Sequence, residues 1–122
     1  MTVIVDAANC VGSVPDGWWR DRAGATRSLR DAISPADLQV ALGLDVTPDV
    51  VLVVEGRARG IESTETVRVV DSPGIGDDEI VRLTEQLTAD DGRVVVVTAD
   101  RALRERVVAL GASTVGPRTV RT

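Results

Sequence analysis

The apolar positions of this chain fall into short runs separated by polar segments whose apolar residues recur at helical spacing. Val3-Ile4-Val5 is β-branched and uninterrupted, and it ends at Asp6, which reads as a buried first strand. Residues 7–17 have loop composition, with Gly12, Ser13, Pro15, Asp16 and Gly17. From Trp18 the pattern becomes helical. Trp18, Ala25, Leu29, Ala32 and Ile33 share a stripe, and Arg20, Asp21, Arg27 and Arg30 point away from it. Ser34-Pro35 interrupts this helix and suits the N-cap and first position of another, which runs to Leu42 and stops at Gly43.

Val50–Val54 predicts a second buried strand, followed by Glu55-Gly56. Residues 57–66 are polar and leave a helical turn undecided. Val67–Val70 predicts a third strand, and residues 71–76 a loop with Pro73 and two glycines. A helix starting at Asp77 carries Ile80, Leu83, Thr84 and Leu87 on one face, with Asp77, Asp78 and Glu79 favouring its dipole. Asp91-Gly92 is a turn before Val94–Val97, the strongest strand signal in the chain. Asp100 precedes a helix with Leu103, Val107 and Leu110 inward and Gly111 as its stop, and Ser113–Val115 adds a last short strand. Apolar strands of four or five residues joined through helices predict an α/β protein: a three-layer α/β/α sandwich on a mainly parallel sheet, formed by residues 1–122 as a single domain.

Composition narrows the chemistry. The 122 residues suffice for one domain with a core of its own, and the core must be aliphatic because there is no Phe and no Tyr. Histidine is absent, which removes Ser-His-Asp and Cys-His catalysis and imidazole zinc sites. Lysine is absent as well, which removes Schiff-base chemistry and a P-loop lysine and counts against a phosphoacceptor receiver domain. What remains is carboxylates, arginines, hydroxyls, amides and Cys10, a set suited to carboxylate-held divalent cations. A net charge of −5 argues against a broad basic face for duplex nucleic acid. No apolar run reaches the ~20 residues of a membrane span. Cys10 has no partner for an internal disulfide, and the start of the chain lacks leader character, so the cytoplasm is the expected location.

Asp6 follows strand one, Glu55 follows strand two, Asp77 opens the helix after strand three, and Asp100 comes two residues after Val94–Thr98. A parallel sheet brings all strand C-termini to one rim, where ligands bind. Three carboxylates within ~6 Å of one another repel unless a cation lies between them. Mg²⁺ or Mn²⁺ would relieve that repulsion and promote displacement at phosphorus. Simpler roles stand beside this one. Asp100 serves equally well as a helix cap, Asp77 and Asp78 as first-turn dipole residues, and Glu55 better as a turn residue on a solvated rim. Asp6 is the exception, because a charge abutting a buried strand is costly without a partner. Asn9 could orient Asp6 or offer its amide oxygen to a metal, or simply close an Asx turn. One of Trp18 and Trp19 should anchor the first helix, and the other could stack on a base. Arg20, Arg22, Arg101 and Arg104 are candidates for phosphate contact, or else solvated helix faces, with Arg101 best placed beside Asp100.

V-I-V-D-A-A-N at 3–9, D-G-W-W-R-D-R at 16–22, P-G-I-G-D-D-E-I at 73–80 and V-V-T-A-D-R at 96–101 together resemble the NYN branch of the PIN-like nuclease superfamily, in particular its small bacterial YacP-related members. The resemblance spans nearly the whole chain. It implies a parallel sheet flanked by helices and a Mg²⁺- or Mn²⁺-dependent ribonuclease. The implied metal ligands are Asp6, Asp77 and Asp100, with Asp78 assisting or replacing Asp77, Asn9 in support and Glu55 standing where relatives often carry Asp. Asn9, Arg22 and Arg101 are the expected substrate contacts, and single-stranded or structured RNA is the expected partner. Two other functions use the same residues: hydrolysis of a free nucleotide or pyrophosphate, and an inactive PIN-like module that binds RNA or protein. A homodimer is a further expectation for so small a domain.

Overall fold

A computed structural model describes residues 1–120. Five strands form one sheet: β1 (Thr2–Asp6), β2 (Asp49–Val54), β3 (Val67–Asp71), β4 (Val94–Val97) and β5 (Ser113–Val115). All neighbours pair in parallel, in the order β3-β2-β1-β4-β5. The helices are α1 (Ala7–Gly12), α2 (Arg22–Ala32), α3 (Pro35–Ala41), α4 (Gly76–Ala89) and α5 (Arg101–Val108).

The uninterrupted apolar strands are explained by helices on both faces. Successive strand residues point to opposite sides. Val3, Val5, Leu52, Val54, Val95 and Val97 pack with Cys10, Val11, Leu29, Ile33 and Leu38 on the α1–α3 side. Ile4, Val51, Val53, Val94 and Val96 pack with Ile80, Leu83, Leu103 and Val107 on the α4–α5 side. An alternating polar strand would leave one of these layers without a partner. The result is the expected three-layer α/β/α sandwich, and the sheet is parallel throughout.

Two segments differ from expectation. Residues 7–12 fold as α1 rather than loop. Ala7, Cys10 and Val11, spaced three and four apart, bury one face, and the Asp6 side chain caps the helix by accepting the Asn9 N–H at 3.3 Å. The helix expected from Trp18 is broken at Asp21. Trp18–Arg20 form a 3₁₀ turn, and Asp21 then caps α2 through the Gly24 N–H at 2.9 Å. Leu29 and Ile33 of the predicted stripe are buried, whereas Ala32 is exposed and Thr26 takes a buried place. The undecided segment contains a 3₁₀ turn at Gly56–Ala58. Ser34 caps α3 with Pro35 behind it, and Gly43 and Gly111, each at positive φ, follow the ends of α3 and α5.

The chain leaves β1 toward β2 and β3 on one side, then crosses through α4 to β4 and β5 on the other. The order reverses between β1 and β4, and a crevice opens at the strand C-termini of such a switch point. Asp6 ends β1 there, and Thr98 follows β4 there.

Candidate carboxylate site at the switch point

Asp6 is 6% exposed. Its carboxylate accepts the Thr98 O–H at 2.9 Å and the Asn9 N–H at 3.3 Å. Burial pushes its pKa up to about 6; the Thr98 and Asn9 hydrogen bonds oppose the rise, and the negative charges of Asp77 and Glu55 add to it. Asp77, near the start of α4, is also raised, first by burial, then by Asp100 and Glu55, with Arg106 opposing and Asp78 adding. Asp6 thus stands in the field of Asp77 and Glu55, and Asp77 in that of Asp100 and Glu55, at the C-terminal rim.

Each is held there by the fold. Asp100 caps α5, accepting the Leu103 N–H at 3.0 Å, and its own N–H donates to Thr98 Oγ1 at 3.1 Å. Thr98 is fully buried and joins the two acids, one through its proton and the other through its lone pair. Arg104 Nε donates to the Thr98 carbonyl at 2.7 Å, fixing the backbone of this connection. Glu55, half-buried, accepts the Gly76 N–H and so ties the end of β2 to the first turn of α4. A β-carbon at Gly76 would lie 3.2 Å from the Glu55 oxygen, so the absent side chain permits the approach.

The structure sorts the remaining candidates. Asn9 lends its backbone N–H to Asp6, and its Oδ1 accepts the Ala99 N–H at 2.8 Å, fastening α1 to the β4–α5 connection. Asp78 is exposed and turned to Arg106 of α5, 3.1 Å away; it is an outer charge of the group rather than a member of its centre. Arg101 is exposed, opening α5 beside Asp100. Arg22 is exposed, its guanidinium 5.3 Å from the centre of the Trp18 ring. Trp18 packs against the core, and Trp19 is exposed. A groove of about 290 Å³ between Trp18, Arg22, Ala8, Val11, Glu55 and Ile75 adjoins the acids. Cys10 is buried, with its thiol 3.8 Å from the Val97 carbonyl.

Thr98 received no role from the sequence, although it stands in the T-x-D of 98–100. Glu55 was read mainly as a turn residue, and its partner Gly76 is 21 residues away. Among the described residues no group of three or more Asp, Glu or Cys side chains stands close enough to hold a metal ion. The donor set nevertheless suits a hard divalent cation. It is all oxygen and anionic, and Asp6 and Asp77 are raised first by burial and then by neighbouring acids, a repulsion that a cation between them would relieve. No helix among the described residues is long and apolar enough to cross a membrane.

No family model and no curated protein matches this chain. Among solved structures it resembles Rae1 (YacP) from Bacillus subtilis. A point mutant of that protein superposes with a TM-score of 0.73 at 19% identity, covering 98% of this chain and 71% of the other. A second crystal structure of the same protein gives 0.71 at 20% identity, with the same coverage. The architecture described above is therefore a YacP-like fold.

Proposed function

We propose that this protein is a divalent-cation-dependent ribonuclease whose centre is the C-terminal rim of the sheet. The observation that carries the reading is the gathering of Asp6, Asp77 and Asp100, with Glu55, at the switch point of a YacP-like fold, where burial first and neighbouring acids second raise the pKa values of Asp6 and Asp77. Asp6, Asp77 and Asp100 would hold Mg²⁺ or Mn²⁺. When bound, such a cation supplies a Lewis acid for a phosphate oxygen and lowers the pKa of coordinated water.

The chain's own groups prepare that site. Thr98 and the Asn9 N–H aim the Asp6 carboxylate, and the buried surroundings keep it short of solvent partners. With a pKa of about 6, Asp6 holds a proton in mildly acid solution, so cation binding must displace it and should weaken below that pH. The Arg106–Asp78 pair holds one acid of the α4 first turn outward and leaves Asp77 as the inward one. Arg101, next to Asp100, and Arg22, in the adjoining groove wall, would receive the phosphates on either side of the cleaved bond.

A second reading, hydrolysis of a free nucleotide at the same carboxylates, is favoured by the groove, which is large enough for about one nucleoside. Single-stranded RNA and a panel of nucleoside triphosphates, each incubated with Mn²⁺, separate the two. RNA cleavage that is lost in Asp6→Asn supports the ribonuclease. Turnover of nucleotides alone replaces it with the second reading, and turnover of neither leaves a binding module.

A further inference from the structure

The ribonuclease reading uses the carboxylates and leaves the adjoining groove without a role. Its walls are Ala8 and Val11 of α1, Trp18 of the 3₁₀ turn, Arg22 of α2, Ala58 after β2, and Ile75 before α4. We propose that this groove is a nucleobase subsite, taking one unpaired base from the nucleotide next to the phosphate at the rim and stacking it on the Arg22–Trp18 pair. The inference rests on the ribonuclease reading for the position of that phosphate.

Three features lead to this occupant. First, the groove is continuous with the acids: Glu55 lines both, and Ala7, also in the wall, directly follows Asp6. Second, its surface suits a flat, largely apolar ring with a phosphate attached. The Arg22 guanidinium lies 5.3 Å from the Trp18 ring centre and, among the described residues, has no carboxylate partner. A guanidinium backed by an indole offers a planar cationic face, which stacks on bases and neutralises the neighbouring phosphate. Third, Ile75 is 65% exposed at the rim of the groove, an apolar surface that a base would cover. A base within a duplex cannot leave its stack without cost, and the net charge of −5 provides no broad basic face for one, so the strand is single.

The test uses Trp19→Phe protein, which leaves Trp18 as the one tryptophan reporter. It is titrated in Mg²⁺ with a 2′-O-methyl adenosine tetranucleotide and with an abasic tetranucleotide carrying the same phosphates, probe integrity being checked by mass spectrometry. The adenosine probe should change Trp18 emission and bind about tenfold tighter than the abasic one. Ala8→Phe, which fills the groove from an exposed position, and Arg22→Ala should each bring the affinity down to the abasic level. Equal binding of the two probes overturns the subsite, as does an undiminished preference in Ala8→Phe protein with unchanged circular dichroism. If Ala8→Phe fails to fold, Arg22→Ala decides alone through the ratio of the two probes: loss of the tenfold preference supports the subsite, and an equal weakening of both probes with the preference kept overturns it. RNA cleavage with no base preference removes the subsite and keeps the nuclease; base preference without cleavage does the reverse.

Discussion

The two ends of the same sheet treat charge in opposite ways. At the N-terminal end the strands are tied by backbone bonds, Thr2 N–H to the Arg93 carbonyl at 2.9 Å and Asp49 N–H to the Met1 carbonyl at 3.0 Å. The charged side chains there, Asp49, Asp91 and Arg93, are exposed. At the C-terminal end, an acid is buried at the tip of the central strand with other acids near it. The first arrangement keeps every charge hydrated. The second desolvates an anion and leaves it facing like charges, a cost that folding alone does not require. On the proposed reading, the difference marks the C-terminal rim as the place where stability is exchanged for chemistry.

The sharpest way to break this comparison is to remove the charge at Asp6. Asp6→Asn keeps one oxygen to accept the Asn9 N–H and puts an NH₂ that can donate to the Thr98 hydroxyl, and should lower RNA cleavage by at least about 100-fold in Mn²⁺. In EDTA the same substitution should stabilise the fold by about 1–3 kcal/mol at pH 7, measured by urea denaturation. The pH dependence fixes the sign. The folded carboxyl keeps its proton up to about 6, whereas the ordinary value is 3.8, so between these values the folded state binds more protons than the unfolded. Stability of the metal-free parent should therefore be greatest below about pH 4 as far as this group is concerned, and decline as pH rises through 6. The raised Asp77 acts in the same direction. A variant whose stability falls with the parent's, or which is less stable at pH 7, would sink the account.

A cation should reverse the cost. At 100 times its dissociation constant, Mn²⁺ should stabilise the parent by about 2.7 kcal/mol, seen as a rise in Tm, with little or no rise in Asp6→Asn. An equal rise in both proteins would place the binding elsewhere.

Thr98→Val probes the link between the acids. It removes a buried hydroxyl that donates to Asp6 and accepts from the Asp100 N–H, and should cost about 1–2 kcal/mol. Because the Thr98 hydrogen bond lowers the Asp6 pKa, its loss should move the Asp6 titration above 6, a change that NMR of the carboxyl carbon would register. An unmoved titration would mean that the hydroxyl only fills space.

Much of this was legible in the sequence because burial leaves a local mark. Strands covered on both faces need unbroken apolar runs, and Val3-Ile4-Val5, Val50–Val54 and Val94–Val97 supply them. Asp6 stood out because a charge beside such a run needs a reason. The parts that were missed depend on partners remote in the chain or on weak local preference. Residues 7–12 helix because Asp6 caps them and the α2 side of the core accepts Cys10 and Val11, conditions that composition does not express. Glu55 meets Gly76 only once β2 and α4 are in place. Asp77 and Asp78 are adjacent acids with equal claims in sequence; the packing of α4 beside α5 gives Asp78 to Arg106 and leaves Asp77 to the rim.

The smallest effect is expected at the opposite end of the sheet, where Asp49→Asn is the matched control for Asp6→Asn. Asp49 is likewise a terminal residue of a strand beside the centre of the sheet, paired in register with Thr2. Its side chain is exposed, and its structural duty is carried by the backbone N–H that meets the Met1 carbonyl. An amide keeps that N–H and removes only a solvated charge, so stability should change by no more than about 0.5 kcal/mol. Cleavage, Mn²⁺-induced stabilisation and the pH dependence should all stay at parental levels, because the sheet separates this carboxylate from the rim at the other ends of the strands. A large effect of Asp49→Asn on the Mn²⁺ response would mean that net charge, rather than the placement of carboxylates at the switch point, governs cation binding.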